Sequence, residues 1–479
     1  MNILQGLEPA KVFYYFEEIC KIPHTSYNEQ ALSDYCVNFA KERNLTFEQD
    51  NMGNVIIWAD ATEGYEDADT IMIQGHLDLV GEKTADCTLD MEKEGIKLVV
   101  NGDIISADKT TLGGDDGIAV AYALAVLDSD DIPHPKLEIV FTVREEVGLL
   151  GASAIDLSNC KAKKMINIDS EIEGILTVGC AGGQRALCHI PINRVVKKGN
   201  ICTITIDGLL GGHSGTEIHK GRANANSLMG RFLLLLKESV DFELIDMSGG
   251  TKENVIPKQS SATVLIDNTV SVQMAIEGFL TQMKAEYGTA DPNINVTFKV
   301  GPVKDVSVLD EMSLKKVLTA VNLMPYGVAA MSMDLPGLVE TSSNVGVMEL
   351  TDNELSVRIS IRSSITSAKE TLSKKIKMLT KTLGGTVEYS GDYPAWPYRK
   401  NSELRDLCVE IYEKQYGKKP AIEMLHAGLE CGIFSDKLNN IDCISFGPNL
   451  IDIHTPDEYM SISSVARVWE FLKAILAAK

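Results

Sequence analysis

The stretch "IMIQGHLDLVGEK", residues 71–83, changes from apolar to polar within a few positions. Its first part has the character of a buried strand, and His76 and Asp78 follow that strand directly. In an open α/β sheet, functional sites lie beyond the carboxyl ends of the strands. A lone His-x-Asp pair is more often part of a solvated loop, so this pair indicates a site only if it has partners elsewhere in the chain.

The length and composition limit the classes of protein to consider. The chain has 479 residues, which is too long for one ordinary core, so we expect two domains or one domain with a large insertion. The 44% hydrophobic and 23% charged residues are typical of a globular protein. The formal net charge of −22 argues against a nucleic acid or an anionic membrane as partner.

Targeting and redox features favour a cytoplasmic protein. The N-terminus lacks the pattern of a signal peptide, and the longest apolar cluster, "RFLLLLK", is too short to cross a bilayer. The ten cysteines form no C-x-x-C pair, which favours reduced thiols over disulfides.

The order of strand and helix signals predicts an α/β fold with an insertion. Strands and helices alternate over residues 1–184, which is typical of a mostly parallel sheet with flanking helices. Residues 185–385 begin with the strand and helix order of a split βαβ unit of the ferredoxin kind and include a hairpin that turns at 352–353. The α/β pattern returns over 386–479. We therefore predict a catalytic domain, 1–184 and 386–479, interrupted by an inserted α+β lid domain, 185–385.

Polar side chains follow several predicted strands of the α/β part. They are His76 and Asp78, the pair Glu145 and Glu146, Asp169, and His454 after a late strand, with Asp115 and Asp116 at the start of an apolar helix. Each group alone has an ordinary explanation: the aspartate pair could cap its helix, and the glutamate pair could be a solvated turn. Their joint occurrence at successive strand ends favours a common site.

Two histidines and three carboxylates form the ligand set of a pair of divalent metal ions. Imidazole suits zinc, and one carboxylate can bridge two ions that lie about 3.5–4 Å apart. A bridging water that loses its proton near neutral pH becomes the nucleophile. An additional carboxylate that binds no metal is then needed as the general base, which would explain the doubled Glu145-Glu146.

Five motifs carry a family resemblance. In order and spacing, the chain resembles the dinuclear zinc dipeptidases, a family that includes peptidase T and the carnosinases, and the aminoacyl-histidine dipeptidase (Xaa-His dipeptidase, peptidase D) branch most of all. The motifs are "GHLDLV", "GGDDGIAVA", "EEVGLLGA", "NIDSE" and "GGHSG". Three further stretches support the specific branch, namely "GCAGG", "HAGLECG" and "DIHTPDE".

The resemblance implies a role for each strand-end residue. His76 and Asp169 would bind one zinc, Glu146 and His454 the other, and Asp115 would bridge both; cobalt or manganese are alternatives to zinc. Glu145 would be the general base and then the acid that protonates the leaving amine. Asp78 would orient His76. The family also implies a cis peptide bond between Asp115 and Asp116.

The resemblance further implies substrate-binding residues outside the metal set. His213 would stabilise the oxyanion, although its local sequence reads as a polar glycine-rich turn. Asn254 and Arg362 would hold the substrate's terminal carboxylate, with Arg358 on the same strand as an alternative to Arg362. Glu430 would bind the amino end of the substrate, or else be an ordinary loop carboxylate.

The resemblance implies hydrolysis of short unblocked dipeptides, with Xaa-His and β-Ala-His favoured, and a homodimer formed through the lid domain. A dinuclear zinc aminopeptidase and an N-acyl amino-acid deacylase are alternative enzymes. A catalytically silent metal-binding or assembly protein is the alternative from another class.

Overall fold

The computed structural model describes residues 3–266 and 269–478. These residues form two compact units. The first unit comprises 3–180, 396–424 and 429–478, and the second comprises 181–395, without 267 and 268, and 425–428. The chain therefore passes between the units at 180–181 and 395–396, and again at either end of the short segment 425–428. The sequence pattern placed the first two changes at 184–185 and 385–386.

The reason for the later second boundary is strand pairing. The strand Thr386–Tyr393 pairs antiparallel with the strand Gly182–Pro191 of the second unit, from Thr386 opposite His189 to Tyr393 opposite Gly183. The α/β style of the sequence resumes only after this strand.

The first part of the chain contains four helices and eight strands. They are α1 (Ala10–Cys20), α2 (Gln30–Glu42), β1 (Thr46–Gln49), β2 (Val55–Ala59), β3 (Ile71–His76), β4 (Leu98–Asn101), β5 (Ile104–Ala107), α3 (Gly114–Leu127), β6 (Leu137–Thr142), α4 (Leu150–Ala154), β7 (Lys164–Asn167) and β8 (Ile175–Cys180).

The middle part forms the second unit. Its elements are β9 (Gly182–Pro191), β10 (Arg194–Asp207), β11 (Gly212–His213), a 3₁₀ turn (Ile218–Lys220), α5 (Ala225–Ser239), β12 (Phe242–Gly249), β13 (Val255–Ile256), β14 (Ser260–Ile266), α6 (Thr269–Tyr287), β15 (Asn295–Leu309), α7 (Glu311–Leu323), β16 (Gly327–Met331), β17 (Val339–Leu350), β18 (Glu354–Ser363), α8 (Thr366–Thr382) and β19 (Thr386–Tyr393).

The last part returns to the first unit. Its elements are α9 (Glu403–Tyr416), β20 (Ala421–Leu425), α10 (Glu430–Lys437), β21 (Asp442–Ser445), β22 (Leu450–Ile451), β23 (Tyr459–Ser461) and α11 (Ile462–Leu476). Ser461 caps α11, because its hydroxyl accepts a hydrogen bond from the backbone N–H of Ser464.

The main sheet of the first unit confirms the predicted α/β fold. Its strand order is β1-β2-β6-β3-β7-β21-β8-β20, and the four central strands from β6 to β21 are parallel. The outer strands β1, β2 and β8 pair antiparallel. Every residue of β3 and β6 is buried, as expected of strands whose two faces are covered.

The helix α3 forms much of the core of the first unit. Its residues from Ile118 to Val126 are all buried, which explains why the sequence of this helix is apolar on every side. Tyr122 stacks on Trp469 of α11 with ring centroids 6.0 Å apart. The strand β3 packs under α3, so the start of this helix lies beside the end of β3.

The second unit has a separate core built on an antiparallel sheet. The strand order begins β15-β10-β14-β12, which is the order of the split βαβ arrangement that the sequence predicted. The sheet continues through β17, β18, β9 and β19. The strands β17 and β18 form the predicted hairpin, closed by a hydrogen bond from Thr351 N–H to the Glu354 carbonyl. Phe232 of α5 meets Phe279 of α6 edge-on in the core.

Among the helices of the described residues, none is both long and apolar enough to cross a membrane.

Candidate active site

The carboxyl ends of the parallel strands of the first unit gather the predicted residues. His76 is the last residue of β3, Glu145 follows β6, and Asp169 follows β7. Because β6, β3 and β7 are adjacent and parallel, their ends meet at one edge of the sheet. Asp115 enters from the start of α3, and His454 enters from the segment between β22 and β23.

The carboxylate of Asp115 lies between two imidazoles. Its Oδ1 is 3.1 Å from Nε2 of His76, and its Oδ2 is 3.1 Å from Nε2 of His454. Nε2 of His454 also lies 2.8 Å from Oε1 of Glu146. A carboxylate that offers one oxygen to each of two histidines has the placement of a bridging ligand between two cations.

Among the described residues, three overlapping groups have ligand atoms within 4.8 Å of one another. They are Asp115, Glu146 and His454; His76, Asp116 and Asp169; and His76, Glu145 and Glu146. The first group is one predicted metal set. The second contains the predicted pair His76 and Asp169, but with Asp116 as its third member in place of Asp115.

Asp116 is therefore a residue that the sequence reasoning left without a role. It is buried, and its Oδ2 accepts a hydrogen bond from the backbone N–H of His76. The peptide bond between Asp115 and Asp116 is cis, as predicted. Gly75 permits the close approach, because a Cβ at this position would lie 2.6 Å from Oδ2 of Asp116.

Asp78 makes different contacts from those predicted. The Nδ1 atom of His76 hydrogen-bonds to the main-chain carbonyl of Asp78 at 2.8 Å, while the Asp78 carboxylate is 3.7 Å from Nδ1. The carboxylate instead accepts hydrogen bonds from the backbone N–H groups of Glu145 and Glu146 and from the hydroxyl of Ser26. The side chain of Asp78 thus holds the glutamate turn, and its backbone orients His76.

The electrostatics of the cluster suit a cation. Burial and the surrounding carboxylates raise the pKa of Glu145 and of Asp169 well above the usual range. Burial alone would lower the pKa of His454, but its hydrogen bonds to Asp115 and Glu146 outweigh this effect and raise the pKa to about 10. The crowded carboxylates therefore favour extra positive charge, and with imidazole nitrogens beside them they fit a pair of divalent metal ions.

Glu430, predicted to read the substrate's amino end, is fully buried at the start of α10. Its Oε2 accepts hydrogen bonds from Thr142 of β6 and Gln74 of β3, and its Oε1 has no hydrogen-bond partner among the described residues. Burial raises the pKa of Glu430 to about 7. Because the Glu430 side chain is fully buried, its carboxylate is not exposed to a substrate amino group.

The predicted residues of the second unit lie on two short strands and the β17–β18 hairpin. His213 of β11 pairs with Val255 of β13, and Asn254 directly precedes β13. The carbonyl of Asn254 accepts a hydrogen bond from Ser214 N–H at 2.9 Å, and its side chain is exposed. Gly212 has a positive φ of +132°, a backbone conformation that would be strained in a residue with a side chain.

The hydrogen bonds of His213 decide where its proton lies. The backbone N–H of Thr216 donates to Nδ1 of His213 at 3.1 Å, so the neutral ring carries its proton on Nε2. Burial and the nearby Arg362 lower the pKa of His213 to about 4, which keeps the ring neutral. Nε2 lies 3.5 Å from Nη2 of Arg362. Since both nitrogen atoms are donors, an oxygen atom within hydrogen-bond distance of both would accept from both.

Arg362 lies beside His213 and differs from Arg358 in its burial. Arg362 is only 8% exposed and its Nη1 donates to the hydroxyl of Tyr393 at 3.0 Å, whereas Arg358 is exposed on the same strand. The Nε atom of Arg362 is buried without a hydrogen-bond partner among the described residues.

Two neighbours of this cluster, Tyr393 and Ser342, were not indicated by the sequence, and a third, His426, opens the motif "HAGLECG" but had no role assigned to it. Nε2 of His426 hydrogen-bonds to the hydroxyl of Ser342 at 2.8 Å. Gly215 allows close packing here, because a Cβ at this position would lie 2.4 Å from the His426 carbonyl and 3.1 Å from Nε of Arg362. The last glycine of "GGHSG" was the signal for a close approach, but nothing local to that motif indicates what approaches it.

Known proteins share both the sequence and the fold of this chain. Residues 72–478 match the Peptidase family M20/M25/M40. The chain is 37% identical to the cytosol non-specific dipeptidase of Escherichia coli (strain K12) over 99% of each chain. Its structure superposes on that of aminoacylhistidine dipeptidase from Vibrio alginolyticus with a TM-score of 0.92 and 36% identity, covering 99% of this chain and 97% of the other.

A more distant structure shares the fold. The aminopeptidase PepT from Bacillus cereus ATCC 10987 gives a TM-score of 0.57 at 16% identity and covers 98% of both chains. The family match spans the strand-end residues from His76 to His454 and most of the chain. The chain therefore belongs to Peptidase family M20/M25/M40 and is a hydrolase that acts on peptide bonds.

Proposed function

We propose that this protein is a dinuclear zinc dipeptidase that cleaves short unblocked dipeptides, with Xaa-His substrates such as β-Ala-His preferred. The observation that carries the proposal is the Asp115 carboxylate, each of whose oxygens lies 3.1 Å from a different imidazole. His76 and Asp169 would hold one ion and Glu146 and His454 the other, with Asp115 between them. Cobalt and manganese accept the same ligands and are the alternative metals.

Each step of the reaction has a residue to perform it. The two cations, when bound, supply Lewis-acid activation of the scissile carbonyl and of the attacking water. Glu145 takes a proton from that water and later delivers it to the leaving amine nitrogen. Asp78 fixes the main chain at Glu145, so the base has a defined starting position.

The donors of the second unit are assigned to the oxygen atoms of the substrate. A neutral His213 with its proton on Nε2 is suited to donate to a developing oxyanion. The guanidinium of Arg362, with Asn254, would bind the substrate's terminal carboxylate. A dipeptidase in particular needs a binding site for the terminal carboxylate of its substrate. In the longer substrates of an aminopeptidase, no free carboxylate lies next to the cleaved bond.

The preference for Xaa-His is supported by the name of the Vibrio alginolyticus relative, whereas the Escherichia coli relative is named non-specific. A panel of dipeptides with His, Leu, Gly or Asp at the second position distinguishes a histidine-selective enzyme from a broad one. Acetylated amino acids and longer peptides in the same panel test the deacylase and aminopeptidase alternatives. Cleavage of those substrates in place of dipeptides would overturn the dipeptidase assignment.

Metal analysis combined with one substitution tests the centre itself. Purified protein should contain two zinc ions per chain and lose activity on treatment with a chelator. Glu145→Gln should keep both ions and lose turnover by about 10²–10⁴-fold, which is the usual contribution of general base catalysis. Retention of full activity by this variant would rule out Glu145 as the base. A wild-type protein that binds metal but cleaves no member of the panel would favour the silent assembly protein.

We also propose a cytosolic homodimer formed through the second unit. The location follows the name of the Escherichia coli relative and the absence of disulfides among the ten cysteines, all of which are described. The dimer is supported by large apolar side chains that the second unit exposes, among them Val196, Val303 and Met333. Sedimentation velocity of the wild type and of Val196→Asp tests the dimer, and a monomeric wild type would overturn it.

A further inference from the structure

The side chain of Glu458 has an unusual set of partners. Its Oε2 accepts hydrogen bonds from the backbone N–H groups of Leu112 at 2.7 Å and Gly113 at 3.1 Å, and its Oε1 accepts from Gly114 N–H at 2.9 Å. The residue is only 2% exposed. Three successive amides that bind one carboxylate immediately precede Asp115.

This stretch of main chain has little support of its own. The first N–H groups of a helix lack partners within the helix, and the N-cap residue of α3, Gly113, makes no capping side-chain hydrogen bond. Asp115 and Asp116 depart from helical geometry, with ψ angles of 105° and 27°. Glu458 therefore satisfies amide groups that local structure leaves open, and a carboxylate is also favoured there by the helix dipole.

Glu458 also belongs to the segment that carries His454. The two residues are separated by three positions, and a hydrogen bond from Glu458 N–H to the Thr455 carbonyl holds the turn between them. One side chain thus connects the main chain before Asp115 to the turn that follows His454. Asp115 and His454 themselves meet at 3.1 Å in the metal-ligand cluster.

We propose that Glu458 is a positioning residue of the metal centre, which fixes the Asp115 carboxylate relative to His454 without contacting a metal ion. This inference rests on the proposed function. Gly114 is part of the same arrangement, because a Cβ at this position would lie 3.2 Å from Oε1 of Glu458 and 2.6 Å from Leu450. The sequence gives no indication of this role, since Glu458 reads as one more acid in the polar stretch "TPDEY".

The test compares Glu458→Gln with a matched control, Glu138→Gln. The amide keeps the shape of Glu458 but places an NH₂ donor against a backbone N–H. Glu138 is likewise buried, at 3% exposure, and its two oxygens accept from the backbone N–H groups of Lys161 and Ala162. It lies at the start of β6, whereas the metal ligands follow the end of that strand. The control therefore breaks the same kind of contact away from the site.

Three measurements separate positioning from general stability. The affinity for zinc, measured by competition with a chromophoric chelator, should fall about 10- to 100-fold in Glu458→Gln, the usual effect of losing a partner that orients a metal ligand. The visible absorption spectrum of the cobalt-substituted protein should change in this variant. In metal-free protein, hydrogen exchange at the amides of residues 112–114 should become faster. Glu138→Gln should change none of these three readings.

The outcomes are distinct. Unchanged zinc affinity and an unchanged cobalt spectrum in Glu458→Gln, with only a lower melting temperature, would overturn the proposal and leave a structural role. If Glu458→Gln does not fold, Glu458→Asp, which retains the charge but shortens the side chain, gives the same comparison. If the wild type binds no metal, the proposed function fails instead, and this is seen before any variant is made.

Discussion

The carboxylate of Asp78 accepts a hydrogen bond of 2.9 Å from the backbone N–H of Glu145, 67 positions further along the chain. Its other oxygen accepts from Glu146 N–H and from the Ser26 hydroxyl. Asp78, two positions after His76, therefore secures the main chain at both the proposed general base and a proposed ligand of the second ion. In the proposed mechanism, Asp78 would link proton transfer to metal binding through these two main-chain contacts.

Replacing Asp78 should impair catalysis more than metal content. Asp78→Asn keeps one acceptor oxygen but turns the other into a donor, so it should loosen the Glu145 turn. We expect kcat to fall about 10- to 100-fold, by analogy with other partners that orient metal ligands, while two metal ions remain bound. Metal analysis and steady-state kinetics on the same preparation check this. Ser26→Ala, which removes only one donor to Asp78, is the milder control, and an equal loss in both variants would contradict the explanation.

Metal binding should release protons. In the metal-free protein the folded pKa of His454 is raised to about 10, above its ordinary value of 6.5, so at pH 8 this imidazole is protonated. Its ion pairing stabilises the metal-free fold fully below pH 6.5, and this contribution is lost as the pH rises through 10. A metal ion must displace the proton, so zinc affinity should increase with pH over this range.

Calorimetry in buffers with different ionisation enthalpies measures that release. Titration of metal-free wild type with zinc at pH 8 should release a proton that His454→Ala does not release. Identical proton release by the two proteins would show that His454 is neutral before the metal binds.

Recognition of a free carboxylate should depend on Arg362. Arg362→Met removes the guanidinium beside His213, and we expect kcat/KM for a dipeptide to fall about 10- to 100-fold, as for the loss of a hydrogen bond to a charged group of roughly 1.5–3 kcal/mol. Arg358→Met is the matched control, since Arg358 is exposed on the same strand. Dipeptide amides, which lack the carboxylate, should show little difference between the two variants. An equal loss for dipeptide and amide would contradict a role in carboxylate binding.

Gly215 should not tolerate a side chain. A Cβ at this position would lie 2.4 Å from the carbonyl of His426 and 3.0 Å from Cε1 of His213, so Gly215→Ala must displace backbone or ring. We expect a higher KM, with the metal content unchanged. Gly221→Ala is the comparison for a nearby glycine with open space around it, although its left-handed φ of +65° makes some loss of stability expected there. A KM for Gly215→Ala equal to that of wild type would show that this packing is not needed for binding.

The strand-end residues were predictable because their placement follows from local patterns. Apolar runs identify β3, β6 and β7, and parallel strands bring their carboxyl ends to one edge, so His76 and Asp169 could be placed near each other from the sequence. The family resemblance added the cis bond at Asp115–Asp116, which the structure contains. The ferredoxin-like strand order of the second unit and the turn at 352–353 likewise followed from periodicity and turn chemistry.

The partners of each polar atom were decided only by the tertiary structure. Sequence could not show that the Asp78 carboxylate serves Glu145, that Asp116 lies beside His76, or that Glu430 is sealed inside the unit. It also could not show that Arg362 is buried while Arg358 is exposed, or connect Glu458 with the main chain before Asp115. Periodicity is a property of neighbouring residues, whereas a hydrogen bond such as that between Gly114 and Glu458, 344 positions apart, depends on how distant segments pack, and that is determined by the whole core.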